Sequence, residues 1–265
     1  MNPPTRVVLF GGSSVRTSYL PEAAQHHHVL RGALCAAYPN QVVEVTNCAD
    51  NGEFIARYLL TEKYEKHRVN LPGIDLAILR FGANDQKRMD VAEYKTQVNF
   101  FVGLLEADFP GITIVMETGT YFDYPAHYAF DRNQILDPYW DVARQIARER
   151  GYLLADYNTV MRQKTAKGEW DFRVRQGLVI DNSQDAGKEN DPNWFTDIHP
   201  NPAGTRLAVE EEVRCIRAAF PDALPCGRQR RERPARSGAE YSRLLNFPFE
   251  RLNQLTQPNP EKMLQ

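Results

Sequence analysis

The sequence predicts an α/β protein, a three-layer α/β/α sandwich around a central, mostly parallel five-stranded sheet. Three observations carry this. Short apolar runs alternate with longer amphipathic segments from Val7 to Phe220, the order expected of parallel strands joined by crossover helices. The short runs are apolar almost throughout, as in strands covered on both faces. Polar stretches stand just after the strands, where open parallel sheets bind their ligands.

The elements follow in order. "RVVLF" is the first strand, and "PEAAQHHHVLRGALCAAY" is a helix with Ala24, His28, Leu30, Ala33 and Ala37 near helical spacing. His26, His27 and His28 are adjacent, so they point apart on a helix and form a partly exposed face rather than a metal site. "VVEVTN" is the second strand, and "GEFIARYLLTEKYEKH" a helix with Phe54, Ile55, Tyr58 and Leu59 on one face. "DLAILRFG" is the third strand, and "VAEYKTQVNFFVGLLEADF" a helix that stops before Pro110. "ITIVMET" is the fourth strand, and "PYWDVARQIARERG" a helix closed by Gly151. "YLLADY" is the fifth strand. Asn201-Pro202 is a helix start over "AGTRLAVEEEVRCIRAAF".

Two regions leave this order. Residues 161–195 are polar and carry Trp170 and Trp194, which suits either a cap over a site or a poorly ordered excursion. After Pro221 comes "CGRQRRERPARSG", basic and poor in apolar residues. It is expected to be a solvated linker to a C-terminal arm, "AEYSRLLNFPFERLNQL". The division expected is thus residues 1–222 as one domain and 223–265 as linker and arm.

Composition narrows the function. The 265 residues are 42% hydrophobic and 25% charged, with a formal net charge of -2. Nothing in that balance calls for a nucleic-acid partner, and no apolar run is long enough to span a bilayer. Cys35, Cys48, Cys215 and Cys226 are scattered without metal-type spacing, and free thiols are expected. A cytoplasmic location is expected from these thiols and from an N-terminus without a signal-peptide layout.

The chemistry should lie in the post-strand stretches "GGSS", "NCADNG" and "GAND", and in "TDIHP" before the last helix. "GGSS" lacks G-x-G-x-x-G and Gly-Lys-Ser/Thr, so it is a poor phosphate cradle. It is similar to the "GGSF" opening of nucleotidyltransferases, but "HHHVLRG" does not supply the HxGH motif those enzymes need.

Together, the four stretches resemble the SGNH/GDSL hydrolase family, named for a Ser, a Gly, an Asn and a His in four ordered blocks. "FGGSS" stands where that family has "FGDS", "NCADNG" matches the second block, "GAND" the third and "DIHPNPAG" the fourth. The resemblance implies a flavodoxin-like sandwich and a serine esterase with no metal or cofactor. Ser13 is then the nucleophile and His199 its base. Ser13, Gly52 and Asn84 supply the oxyanion donors. These residue types suit the task, because a serine hydroxyl needs a base to take its proton and the carbonyl oxygen needs donors aimed at its developing charge. Two positions depart from the family pattern. The aspartate before the nucleophile is Gly12. The acid three residues before the histidine is Thr196, with Asp197 one residue later. Asp197 is taken as the third member of the triad. Tyr121, Phe122 and Trp194 are candidate substrate contacts, able to stack on a sugar ring. The expected substrate is a small acyl ester, an O-acetyl group on a carbohydrate being one such case. The alternative is a carbohydrate-binding or scaffold protein that keeps the fold with hydrolysis impaired.

Overall fold

The computed structural model describes residues 3–121, 132–169, 199–200, 202–248 and 250. Among them are five strands, β1 (Thr5–Gly11), β2 (Val43–Asn47), β3 (Leu76–Arg80), β4 (Thr113–Glu117) and β5 (Leu153–Ala155). They form one sheet in the order β2-β1-β3-β4-β5, and every pairing is parallel. β1 is an inner strand, with Leu9 opposite Asn47 on one side and Ile78 on the other.

The helices are α1 (Ser13–Arg16), α2 (His26–Ala37), α3 (Ile55–Leu60), α4 (Lys63–Asn70), α5 (Val91–Asp108), α6 (Arg132–Arg150), α7 (Tyr157–Ala166), α8 (Pro202–Ala219) and α9 (Gly238–Leu245). Side chains alternate across the strands. Phe10, Leu79 and Met116 therefore enter a core with Tyr58, Phe101 and Ile146 on one face. Leu9, Ile78 and Val115 enter another with Leu30, Leu34 and Ile216. The expected sandwich is what forms.

Local signals set several boundaries. The Asp90 carboxylate caps α5 by accepting from Glu93 N at 2.8 Å. Gly151, at φ +68°, closes α6. Ser237 and Glu240 form a capping box at the start of α9.

Four expectations need correction. The helix expected over 52–67 is two helices, α3 and α4, broken where Glu62 takes φ +60°. The helix expected from Pro138 begins earlier, and Pro138 lies inside α6. Residues 157–166, most of them assigned to a polar cap, are α7, capped by Asp156 through Thr159 N. His26 is not on an exposed face: it is 1% exposed and its Nε2 lies 2.8 Å from Glu212 Oε1.

The basic stretch after Pro221 has neither helix nor strand before α9, but it is not merely solvated. It runs along the amino ends of four strands. Leu224 N donates to Gln41 Oε1 at 2.7 Å, and Thr5 Oγ1 donates to Pro225 O at 3.1 Å. Arg228 N donates to Asp75 Oδ1 at 3.0 Å, and Arg231 N to Asp108 O at 2.7 Å. The approach is close enough to require glycine beneath it: a Cβ at Gly73 would lie 1.8 Å from Arg228 O. Arg233 then pairs through two nitrogens with Asp108, at 2.6 and 2.7 Å, and with Glu65 at 2.9 Å.

Candidate active site

The two glycines at the end of β1 are there for space. A Cβ at Gly11 would lie 2.5 Å from Arg80 O, and one at Gly12 would lie 2.9 Å from Asn84 Nδ2. Gly12 thus lets the third block come up against the first, and an aspartate there would displace Asn84.

Ser13 opens α1. Gly12 O accepts from both Val15 N and Arg16 N at 3.0 Å, so the chain turns helical at once. With its carbonyl committed to that turn, the Gly12–Ser13 peptide directs the Ser13 N–H away from the helix. Thr17, at φ +47°, ends the turn.

His199 stands before α8, and its Nε2 is hydrogen-bonded to Ser13 Oγ. Tyr19 supports the histidine. Its ring centroid lies 5.1 Å from that of His199, and its hydroxyl donates to Pro200 O at 2.9 Å. Sequence reasoning missed Tyr19. It stands six residues after the nucleophile with no motif around it, and its partner belongs to the fourth block.

Asn84 follows β3. One hydrogen of its Nδ2 is spent on Glu53 O at 3.0 Å, which fixes the amide plane and leaves the second hydrogen for a ligand. Asp85, the next residue, is fully buried, and its carboxylate accepts from Gly82 N at 2.8 Å and Ile55 N at 3.1 Å. It ties the third block to the start of α3. Burial pushes its carboxyl up to about 6. The "D" of "GAND" is therefore a structural anchor that sequence reasoning left without a role.

A small recess lies between these blocks, lined by Gly12, Ser13, Glu53, Arg80, Asn84 and Trp140 among others. Trp140 is 2% exposed and fits because Gly119 and Gly82 carry no side chain: a Cβ would lie 2.1 Å from its ring at Gly119 and 2.8 Å at Gly82.

The remaining expected site residues divide. Gly52 takes φ +67° and its carbonyl accepts from Arg57 Nη1 at 3.4 Å, but the wall of the recess is made by its neighbour Glu53. Tyr121 packs under Arg162, whose guanidinium carbon lies 4.4 Å from the ring centroid. Phe122, Trp194, Thr196 and Asp197 lie outside the described residues.

A serine hydroxyl on an imidazole nitrogen, beside an amide hydrogen held open, is the arrangement of acyl transfer. The profile of the GDSL-like lipase/acylhydrolase family matches residues 9–207. The chain belongs to that family. It is a carboxylic ester hydrolase of the GDSL type. A search of curated protein sequences returned no match. Among solved structures, the GDSL fold seen here is similar to that of an acetylxylan esterase from Geobacillus stearothermophilus, with a TM-score of 0.59 at 18% identity, over 81% of this chain and 95% of that one. It is similar to an α/β hydrolase from the metagenome of Lake Arreo, with a TM-score of 0.60 at 17% identity, over 81% and 96%. A lipolytic protein of the G-D-S-L family from Veillonella parvula gives a TM-score of 0.56 at 17% identity, over 79% and 97%. The family profile ends at residue 207, so the arm that underlies the sheet in this GDSL hydrolase lies beyond it.

Proposed function

We propose that the protein is a serine esterase that removes a short acyl group, an acetyl on a carbohydrate hydroxyl being the substrate class it fits best. The observation that carries this reading is the hydrogen bond between Ser13 Oγ and His199 Nε2.

In the proposed reaction His199 takes the Ser13 proton as Oγ attacks the ester carbonyl. The oxyanion is held by Ser13 N–H and the second Nδ2 hydrogen of Asn84. The tetrahedral intermediate collapses, the carbon–oxygen bond to the alcohol breaks, and His199 gives its proton to the departing oxygen. Water repeats the sequence on the acyl-enzyme, releasing the acid and restoring Ser13. Asp197 orients the His199 ring.

The recess supports a small acyl group. It lies directly against Ser13 and Asn84, and the buried Trp140 ring lines it, which favours an acetyl over a long chain. The comparison with an acetylxylan esterase supports the same class, and a serine-to-alanine form of that enzyme is described as a catalytic mutant. The Ser13–His199 contact counts against the rival reading, a fold retained for binding alone.

The test is release of p-nitrophenol from acetate, butyrate and octanoate esters by wild type and Ser13→Ala, followed by acetate release from acetylated xylo-oligosaccharides. Wild type should favour the acetyl ester and Ser13→Ala should be inactive. Equal rates for the two proteins would overturn the reading.

A further inference from the structure

Beneath the nucleophile turn lies a cluster of charged side chains that the reaction above does not use. Arg80 ends β3, a strand otherwise apolar, and is 3% exposed. Glu117 at the end of β4 is 1% exposed, Glu212 of α8 is 0% and His26 of α2 is 1%. Burying such groups is costly unless their hydrogen bonds are well made, so their contacts indicate what they are for.

Those contacts converge on α1. Arg80 Nη1 donates to Ser14 O at 3.0 Å, and its Nη2 is bonded to Glu117 Oε1. Glu212 Oε1 lies 3.7 Å from the same Nη2, and both Glu212 oxygens meet His26 Nε2, at 2.8 and 3.0 Å. The backbone N of His26 donates to Thr17 Oγ1 at 2.8 Å. The cluster thus grips α1 at Ser14 and at Thr17. A helix of four residues does not hold itself together, since the first turn fixes several dihedrals for one hydrogen bond. A cation at its carboxyl end also favours it. Arg80 also lines the recess beside Ser13, but the contacts of its guanidinium are with Ser14 O, Glu117 and, at 4.8 Å, the ring of Tyr157.

We propose that Arg80 is a positioning residue, holding α1 so that Ser13 presents its hydroxyl to His199 and its N–H to the oxyanion, while Glu117 and Glu212 hold Arg80. This rests on the reading of Ser13 as nucleophile. Burial pushes Glu117 up to about 8 and Glu212 up to about 7, against the pull of Arg80. Both carboxyls are thus easier to protonate than free ones, which lessens the repulsion between them beside one guanidinium.

The experiment compares wild type, Ser13→Ala, Arg80→Lys and the double variant Arg80→Met/Glu117→Gln, which removes both charges together. It measures kcat and KM on p-nitrophenyl acetate and amide hydrogen exchange over residues 10–20. The folded double variant should lose ~10-fold to ~100-fold in kcat with KM within about twofold, the scale of a misplaced reacting group. Exchange should quicken over residues 13–17 and stay unchanged in the strands. Arg80→Lys is shorter and offers one nitrogen where the guanidinium uses two, so it should show the same pattern more weakly. It decides the matter if the double variant does not fold. Wild-type kcat and exchange in the folded variants would overturn the positioning role alone. A wild type no faster than Ser13→Ala would overturn the esterase reading, and the positioning role with it.

Discussion

Asn84 shows how one side chain is prepared by its neighbours before any ligand arrives. Glu53 O takes one amide hydrogen, Gly12 leaves room for the nitrogen, and Asp85 fixes the turn behind it. Asn84→Ala is expected to lower kcat by ~10²–10³-fold, the usual cost of one oxyanion donor, with the thermal midpoint little changed. Kinetics and melting of the purified variant check both parts, and full activity would remove Asn84 from the mechanism. The triad acid is a second prediction at this scale. Residues i and i+2 share a face in extended chain, so Asp197 meets His199 if "TDIH" is extended. Asp197→Ala should then lose up to ~10⁴-fold in turnover, and Thr196→Ala should lose little. The reverse result would put the threonine hydroxyl behind the ring. Ser13, Asn84 and His199 were legible because each sits in a short motif at a strand end or before the last helix. Tyr19, His26 and Asp85 were not, because their roles are set by partners that sequence spacing does not reveal.

The strands were the most legible elements, since a run such as "VVLF" has one stable place between two helical layers. Helix continuity was less so. Apolar residues on both sides of Glu62 keep a helical period, and only its left-handed backbone separates α3 from α4. α7 escaped notice because its sequence is polar and its cap, Asp156, doubles as the partner of Arg144 at 2.8 Å. Charge joins elements that pattern alone does not connect: β3, β4, α2 and α8 meet through Arg80, Glu117, His26 and Glu212. This yields a prediction of stability against pH. Glu117 and Glu212 have folded pKa values raised to about 8 and about 7. Between their ordinary value of 4.5 and these, the folded state holds protons that the unfolded state has released, so stability falls as pH rises from 4.5 to about 8 and levels off above it. His26 is lowered to about 3 by burial. The unfolded state then binds the extra proton, and stability falls as pH drops from about 6.5 toward 3. The two windows overlap between 4.5 and 6.5, where two glutamates outweigh one histidine, so melting temperature should peak near 4.5 and Glu117→Gln should flatten the limb above it. A limb unchanged in that variant would show that another group causes it.

Across the molecule, the site occupies the carboxyl ends of the strands and the arm occupies their amino ends. The two can therefore be disturbed separately. Arg233→Ala leaves Glu65 and Asp108, 5% and 2% exposed as side chains, with Arg68 as their one shared cation, 2.8 Å and 3.9 Å away. Because Arg68 still faces both carboxylates, the cost should fall below the about 3–5 kcal/mol of an uncompensated buried charge. The urea midpoint should fall accordingly, with kcat and KM of the folded protein unchanged. A parallel loss of kcat would show that the two ends are coupled. The arginine run looked like a solvated linker because charge and low hydropathy usually mean that, and its partners are acids scattered over α4, α5 and the loop before β3. The separation of Ser13 from His199 has a consequence for synthesis. They are 186 positions apart, and β1, the first strand made, is an inner strand whose neighbours β2 and β3 come later. A ribosome that stops anywhere before residue 199 therefore releases a chain with a serine and no base beside it. The Ser13–His199 contact forms only once nearly the whole family domain has left the tunnel, so on the proposed mechanism a fragment from interrupted translation lacks the base its serine needs.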